Sequence, residues 1–164
     1  DNINDIKASL VFRNIGFQLK AYNEVDEPLP FEIDIGISQK LENAPITWHI
    51  TLENLQKWPI GISNPSRIIT DLDGNTTEED ISFFNEILRH TIIGVEIFPK
   101  SIFTMQLGYS FRRSEELRIL EQRNFSGVSF GFGMKFNKLR FNYCHARFSS
   151  AANVNYLGIQ LDLD

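Results

Sequence analysis

Residues 102–111 read Ile-Phe-Thr-Met-Gln-Leu-Gly-Tyr-Ser-Phe, placing Phe103, Met105, Leu107, Tyr109 and Phe111 on one side and Thr104, Gln106, Gly108 and Ser110 on the other. Large apolar residues at every second position mark a strand with one apolar face, because successive side chains of an extended chain point to opposite sides. Downstream, 125–136 sets Val128, Phe130, Phe132, Met134 and Phe136 against Gly127, Ser129, Gly131, Gly133 and Lys135. Segment 139–148 sets Leu139, Phe141 and Tyr143 against Arg140 and Asn142, and 154–163 sets Leu157, Ile159, Leu161 and Leu163 against Tyr156, Gly158, Gln160 and Asp162. Upstream, 90–98 offers Ile93, Val95 and Ile97, while 45–54 alternates Ile46, Trp48, Ile50 and Leu52 with Thr47, His49, Thr51 and Glu53. Segment 31–40 alternates Phe31, Ile33, Ile35 and Ile37 with Glu32, Asp34, Gly36 and Ser38, and 4–13 alternates Ile6, Ala8, Leu10 and Phe12 with Lys7, Ser9, Val11 and Arg13. Eight such segments predict an all-β chain.

A soluble sandwich also alternates, so the direction of the apolar face has to come from elsewhere. The joins at 41–44, 99–101 and 137–138 are short, whereas 14–30, 55–89 and 112–124 are long and fall, with 149–153, at the opposite end. Short turns at one end and long loops at the other are the asymmetry of an antiparallel transmembrane β-barrel, with the turns periplasmic and the loops outside. The segments also have roughly the 9–11 residues that a tilted strand needs to cross hydrocarbon, whereas sandwich strands are usually shorter. The sequence therefore predicts that Ile33, Ile35, Ile37, Trp48, Ile50, Phe103, Met105, Leu107, Phe130, Phe132, Ile159 and Leu161 face lipid, leaving glycine and polar residues to the lumen.

Composition supports this and excludes other classes. The chain has 164 residues and 42% hydrophobic content, ordinary for one folded unit, so residues 1–164 are expected to form a single barrel domain or half of one. Sixteen Lys and Arg against 21 Asp and Glu leave a net charge of -5, with no positive excess for nucleic acid. Cys144 is the only cysteine, which excludes an intrachain disulfide and any zinc site built on paired cysteines. No apolar run of about 18 residues exists to form a transmembrane helix, a fact that leaves barrel strands untouched. The chain opens at Asp1 without a basic segment and apolar core, so either any secretory signal is already removed or the start is a truncation.

One helix is expected among the strands. Thr76 with Glu79 fits a capping box, Glu78 and Asp80 suit the positive end of the dipole, and Ile81, Phe84, Ile87 and Leu88 recur at helical spacing, predicting a helix over about 77–89. It lies in the long outer loop 55–89, either as a lid packed on the barrel mouth, the reading favoured here, or as a docking surface for a partner through Phe84 and Leu88.

Residues capable of chemistry are scattered. Asp71, Asp73 and Asn75 around Gly74 resemble the start of a calcium loop, but glycine stands at the fourth position instead of the sixth, and an ordinary turn explains the string equally well. His49, His90 and His145 have no paired spacing, and His49 with Glu53 on one strand face lacks a nucleophile or oxyanion site. Gly127, Gly131 and Gly133 are spaced by strand periodicity, with no helix start after them, and so provide close packing and no phosphate loop. Arg112 and Arg113 begin a mixed-charge run to Arg118 that reads as solvated loop; the adjacent pair could also grip lipopolysaccharide phosphate or a partner's carboxylate. No catalytic residue, metal or cofactor is expected.

Several stretches resemble the PorQ family of barrels associated with type IX secretion, itself similar to the FadL-like porins. They are Asn14 to Lys20, Glu27 to Phe31, Leu88 to His90 with Gly94 to Glu96, and Leu107 to Tyr109 with Arg112 and Arg113. Gly127 to Gly133, Leu139 to Tyr143, and Ala146 and Arg147 with the closing strand complete the series. The resemblance implies the C-terminal half of a barrel about twice this long, whose first strand here pairs with strands outside this chain. The terminal aromatic usual in such barrels is replaced by Asp164. The implied function is structural: an outer-membrane component of the type IX secretion and attachment machinery, in contact with outer-membrane lipid and lipopolysaccharide and anchoring surface proteins, with catalysis left to those partners. The alternative is a FadL-like channel for hydrophobic molecules, which needs an apolar pocket in the lumen. A more distant alternative is a soluble lipocalin-like binder, with its apolar face turned inward.

Overall fold

The computed structural model describes residues 6–17, 29–64, 68–71, 75–77, 80–117, 125–147 and 152–162. In chain order the elements are β1 (Ile6–Arg13), β2 (Glu32–Lys40), β3 (Ile46–Leu52), β4 (Ile69–Thr70), β5 (Thr76–Thr77), α1 (Phe83–His90), β6 (Thr91–Ile97), β7 (Phe103–Ser110), α2 (Phe111–Glu116), β8 (Val128–Phe136), β9 (Leu139–Arg147) and β10 (Asn153–Leu161). All eight expected segments form strands, and these make one antiparallel sheet in the order β1-β2-β3-β6-β7-β8-β9-β10. Apart from the β4-β5 hairpin, every strand lies beside its predecessor, across the short turns and the long loops alike. The sheet is open: β1 and β10 are its two edges and do not pair with each other. No helix among the described residues is long and apolar enough to cross a membrane.

The turns gather at one end. β8 and β9 join through Asn137-Lys138, with Asn137 at a φ of 52°, the left-handed conformation that a two-residue hairpin favours and asparagine tolerates. The β2-β3 and β6-β7 turns are tied together by Phe98 N–H donating to the Pro45 carbonyl at 2.7 Å. At the opposite end, Gly127 precedes β8 with a φ of +86°, so its glycine serves a turn instead of the strand interior expected from the sequence. There its N–H reaches the Arg147 carbonyl at 3.1 Å and its carbonyl receives the Ser110 N–H at 2.9 Å, tying β7 and β9 together at their loop ends.

Two expectations about the loops change. The helix begins at Phe83, not near residue 77, because Thr76 and Thr77 pair with Thr70 and Ile69 in the β4-β5 hairpin. That hairpin is closed by Asp71, whose N–H donates to the Asn75 carbonyl at 3.0 Å and whose carboxylate accepts the Asn75 N–H at 2.8 Å. This local turn takes the threonine that the capping box would use, and Glu79, the other half of the box, lies outside the described residues. The charge run starting at Arg112 is likewise no extended loop: it forms α2, whose N-terminal Ser110 hydroxyl accepts from Arg113 N–H at 3.5 Å.

Candidate membrane interface

Pairing register carries the alternation of each strand across the whole sheet. Leu10 lies opposite Ile35, which lies opposite Leu52; Ile37 faces Ile50, which faces Ile93; Val95 faces Leu107, which faces Phe130; Phe141 faces Ile159 and Leu139 faces Leu161. One side of the sheet is thus apolar from edge to edge, since a single slip of register would have sent a strand's residues to the other face. All twelve residues expected to face lipid lie on this side. Phe132 stitches it together, its ring centroid 5.3 Å from Tyr143 directly opposite and 6.2 and 6.1 Å from Phe103 and Phe141 on the diagonals.

Among the described residues, nothing covers this face. Ile60, in a loop, is the single buried hydrophobic residue among those described, while Leu107 is 49% and Ile159 68% exposed. Ile33, Trp48 and Phe132 are half-buried, and the other nine expected residues are exposed. Soluble monomers seldom leave contiguous apolar patches beyond a few hundred Å² in water.

The apolar run also drifts along the strands. On β2 it occupies Ile33, Ile35 and Ile37 and gives way to Gln39 toward the turns; on β10 it occupies Leu157, Ile159 and Leu161 and gives way to Asn155 toward the loops. Following the register from Ile35 to Ile159, the centre shifts by about eight residues over six strand steps. At ~3.3 Å per residue and ~4.8 Å between strands, a level slab would cross these strands at roughly 40°. Strands of transmembrane barrels tilt by about 35–45°. β8, nine residues long and apolar from Val128 to Phe136, would then span roughly 23 Å of the slab normal, near the ~25 Å band of outer-membrane barrels.

The opposite face is small and polar. A shallow furrow of about 320 Å³ runs over Gly94, Gly108 and Gly131, flanked by His49, Gln106 and Cys144. A Cβ on Gly108 would stand 2.6 Å from the Ser129 hydroxyl, and one on Gly131 2.9 Å from the Tyr143 carbonyl, so these glycines admit close neighbours. Among the described residues, no group of three His, Cys, Asp or Glu side chains could hold a metal. Asp71 and Asn75 hold each other in the turn described above, and Asp73 lies outside the described residues.

At the loop end the sequence reading missed a buried polar cluster. α1 turns Glu86, Arg89 and His90 inward and leaves Phe84 76% and Leu88 43% exposed, so of the stripe expected to pack as a lid only Ile81 and Ile87 are half-buried. The Glu86 carboxylate accepts the Ile60 and Gly61 N–H groups at 3.1 Å. Arg89 donates to the Ile62 carbonyl at 3.0 Å and to Glu116 at 3.3 Å, and Arg112 also binds Glu116 at 3.3 Å. Asn64 donates to the Glu115 carbonyl at 2.8 Å. His90 stacks on Trp58, ring centroids 4.6 Å apart, with Nδ1 2.6 Å from the Glu53 carbonyl oxygen. Together these contacts lock three loop segments over the ends of β6 and β7. Burial pushes the Glu53 carboxyl above its usual range, helped by Asp34 and Glu32 and opposed by Arg113 and Arg112. Arg112 and Arg113 therefore belong to the cap: Arg112 is ion-paired inside it and both influence Glu53. The one available signal was the polar trio Glu86, Arg89 and His90 on a short helix, which periodicity of apolar residues ignores.

No family model, curated protein or solved structure matches the chain.

Proposed function

We propose that this chain forms part of a transmembrane β-barrel of a bacterial outer membrane and serves as a structural component of type IX secretion and attachment, holding surface proteins at the membrane. The observation carrying the membrane reading is the apolar face, continuous over eight strands, uncovered among the described residues and staggered at about the tilt of strands in transmembrane barrels. Backbone edges cannot remain unpaired in hydrocarbon, so β1 and β10 are expected to find partners there, in each other or in further strands. The secretion role is supported by the resemblance of the stretches from Asn14 through Arg147 to the PorQ family, and no chemical step is assigned to any residue.

Affinity capture of the protein from detergent-solubilised outer membranes tests the role. Co-purification of defined surface proteins is expected; uptake of a hydrophobic ligand that disappears on deletion, with no protein recovered, would establish the channel instead.

A further inference from the structure

Above the apolar run on β9 and β10, the same outward face changes character. The positions that continue it toward the loops are His145 and Arg147 on β9 and Asn155 and Asn153 on β10, with Asn153 opposite Arg147 and Asn155 opposite His145. Asn155 Oδ1 accepts from the Tyr143 hydroxyl at 2.9 Å and lies 2.8 Å from His145 Nδ1, an arrangement that leaves the Asn155 amide hydrogens as spare donors. Arg147 Nε is buried and has no hydrogen-bond partner among the described residues. Arg89 Nε shares that lack, but Arg89, like Arg13, Arg112 and Arg140, lies within 3.3 Å of a carboxylate oxygen, a pairing not found for Arg147 among the described residues. A guanidinium partly withdrawn from water with an idle donor is costly, and a phosphate oxygen is the acceptor its fork fits best.

We propose that Arg147, with Asn155 and Asn153, binds the phosphate of an anionic lipid headgroup at the loop-end rim of the apolar belt. The proposal rests on the membrane reading above. The lipid source follows from continuity: the patch begins one residue pair beyond Leu157 on the very face assigned to lipid tails, so a headgroup whose chains lie on Leu157 and Ile159 would bring its phosphate to Arg147. Lipid phosphate is favoured over free phosphate because the tails add their own burial to the charge-assisted hydrogen bonds.

The test uses the full protein in nanodiscs of phosphatidylcholine containing a minor fraction of phosphatidylglycerol, followed by native mass spectrometry of retained lipid. Retention of phosphatidylglycerol over phosphatidylcholine is expected, falling about tenfold in Arg147→Gln combined with Asn155→Ala and less in Arg147→Lys, which keeps the charge and loses the fork. Equal retention of both lipids by inserted wild-type protein, or unchanged preference in the double variant, overturns the headgroup site and leaves the barrel reading intact. Displacement of phosphatidylglycerol by inorganic phosphate alone at matched concentration would show a free-anion site and overturn the lipid source. Failure of the protein to enter nanodiscs of either composition would overturn the membrane reading, and the headgroup site with it.

Discussion

Leu107→Arg and Gln106→Arg alter neighbouring residues on opposite faces of β7 and should differ sharply. Leu107 is 49% exposed and sits near the middle of the apolar run, in register with Val95 and Phe130. If water lay outside, an exposed arginine there would change stability by no more than ~0.5 kcal/mol. If hydrocarbon lies outside, arginine near the midplane costs about 2–4 kcal/mol. Gln106 points to the polar face opposite Glu96, so an arginine there gains a carboxylate neighbour and should stay within ~0.5 kcal/mol of wild type. Equilibrium unfolding by urea in phospholipid vesicles would read the difference: with a slope of ~1–3 kcal/mol per M, Leu107→Arg should lower the midpoint by about 1 M or more while Gln106→Arg hardly moves it. Equal shifts for the two variants would refute an outward lipid face. Phe136→Arg, 56% exposed at the turn-end rim of the belt on β8, supplies the depth control, with an expected cost of only ~0–1 kcal/mol.

Other outcomes follow from the loop cluster. Arg89→Leu leaves Glu116 with Arg112 alone and removes a 2%-exposed cation, which should destabilise the cap by about 3 kcal/mol and speed hydrogen exchange at Ile60 to Ile62; unchanged exchange would contradict the cluster's role. Glu86→Ala strips the acceptor from the Ile60 and Gly61 amides and should cost ~2 kcal/mol in unfolding experiments, whereas Glu86→Gln, which keeps one carbonyl acceptor, should cost less. Burial raises the Glu53 carboxyl, so the folded state holds that proton more tightly than the unfolded chain; stability from this group is full below the ordinary glutamate range and is lost as pH rises through the folded value. Glu53→Gln should therefore flatten the decline of the unfolding midpoint from mildly acidic to neutral pH, and an unaltered slope would count against it.

The strands were legible because a half-exposed sheet imposes a period of two on each strand without help from the rest of the chain. Phe103 to Tyr109 and Val128 to Phe136 declare their faces residue by residue, and register could only preserve them. The stagger of the apolar run was not legible, since it depends on which residue meets which across strands. α1 misled in both position and polarity. The Thr76 and Glu79 spacing competed with the Asp71 turn, which only the pairing of β4 with β5 exposes. Its apolar stripe was expected to be buried, yet the partners of Glu86 and Arg89 come from residues 60–62 and 116, segments that no local pattern links. The sequence left open a complete barrel or half of one, because closure is a property of the edges and no strand's own pattern reports it; in this chain β1 and β10 remain unpaired with each other.

The most direct measurement is spin-label accessibility along residues 103–110 in lipid vesicles, with the sole native cysteine removed by Cys144→Ser. Labels at 103, 105 and 107 should collide readily with dissolved oxygen, which concentrates in hydrocarbon, and poorly with a water-soluble nickel complex; labels at 104, 106 and 108 should reverse that preference. Nickel access at 103, 105 and 107 equal to that at their neighbours would mean that the apolar side of the sheet does not face lipid.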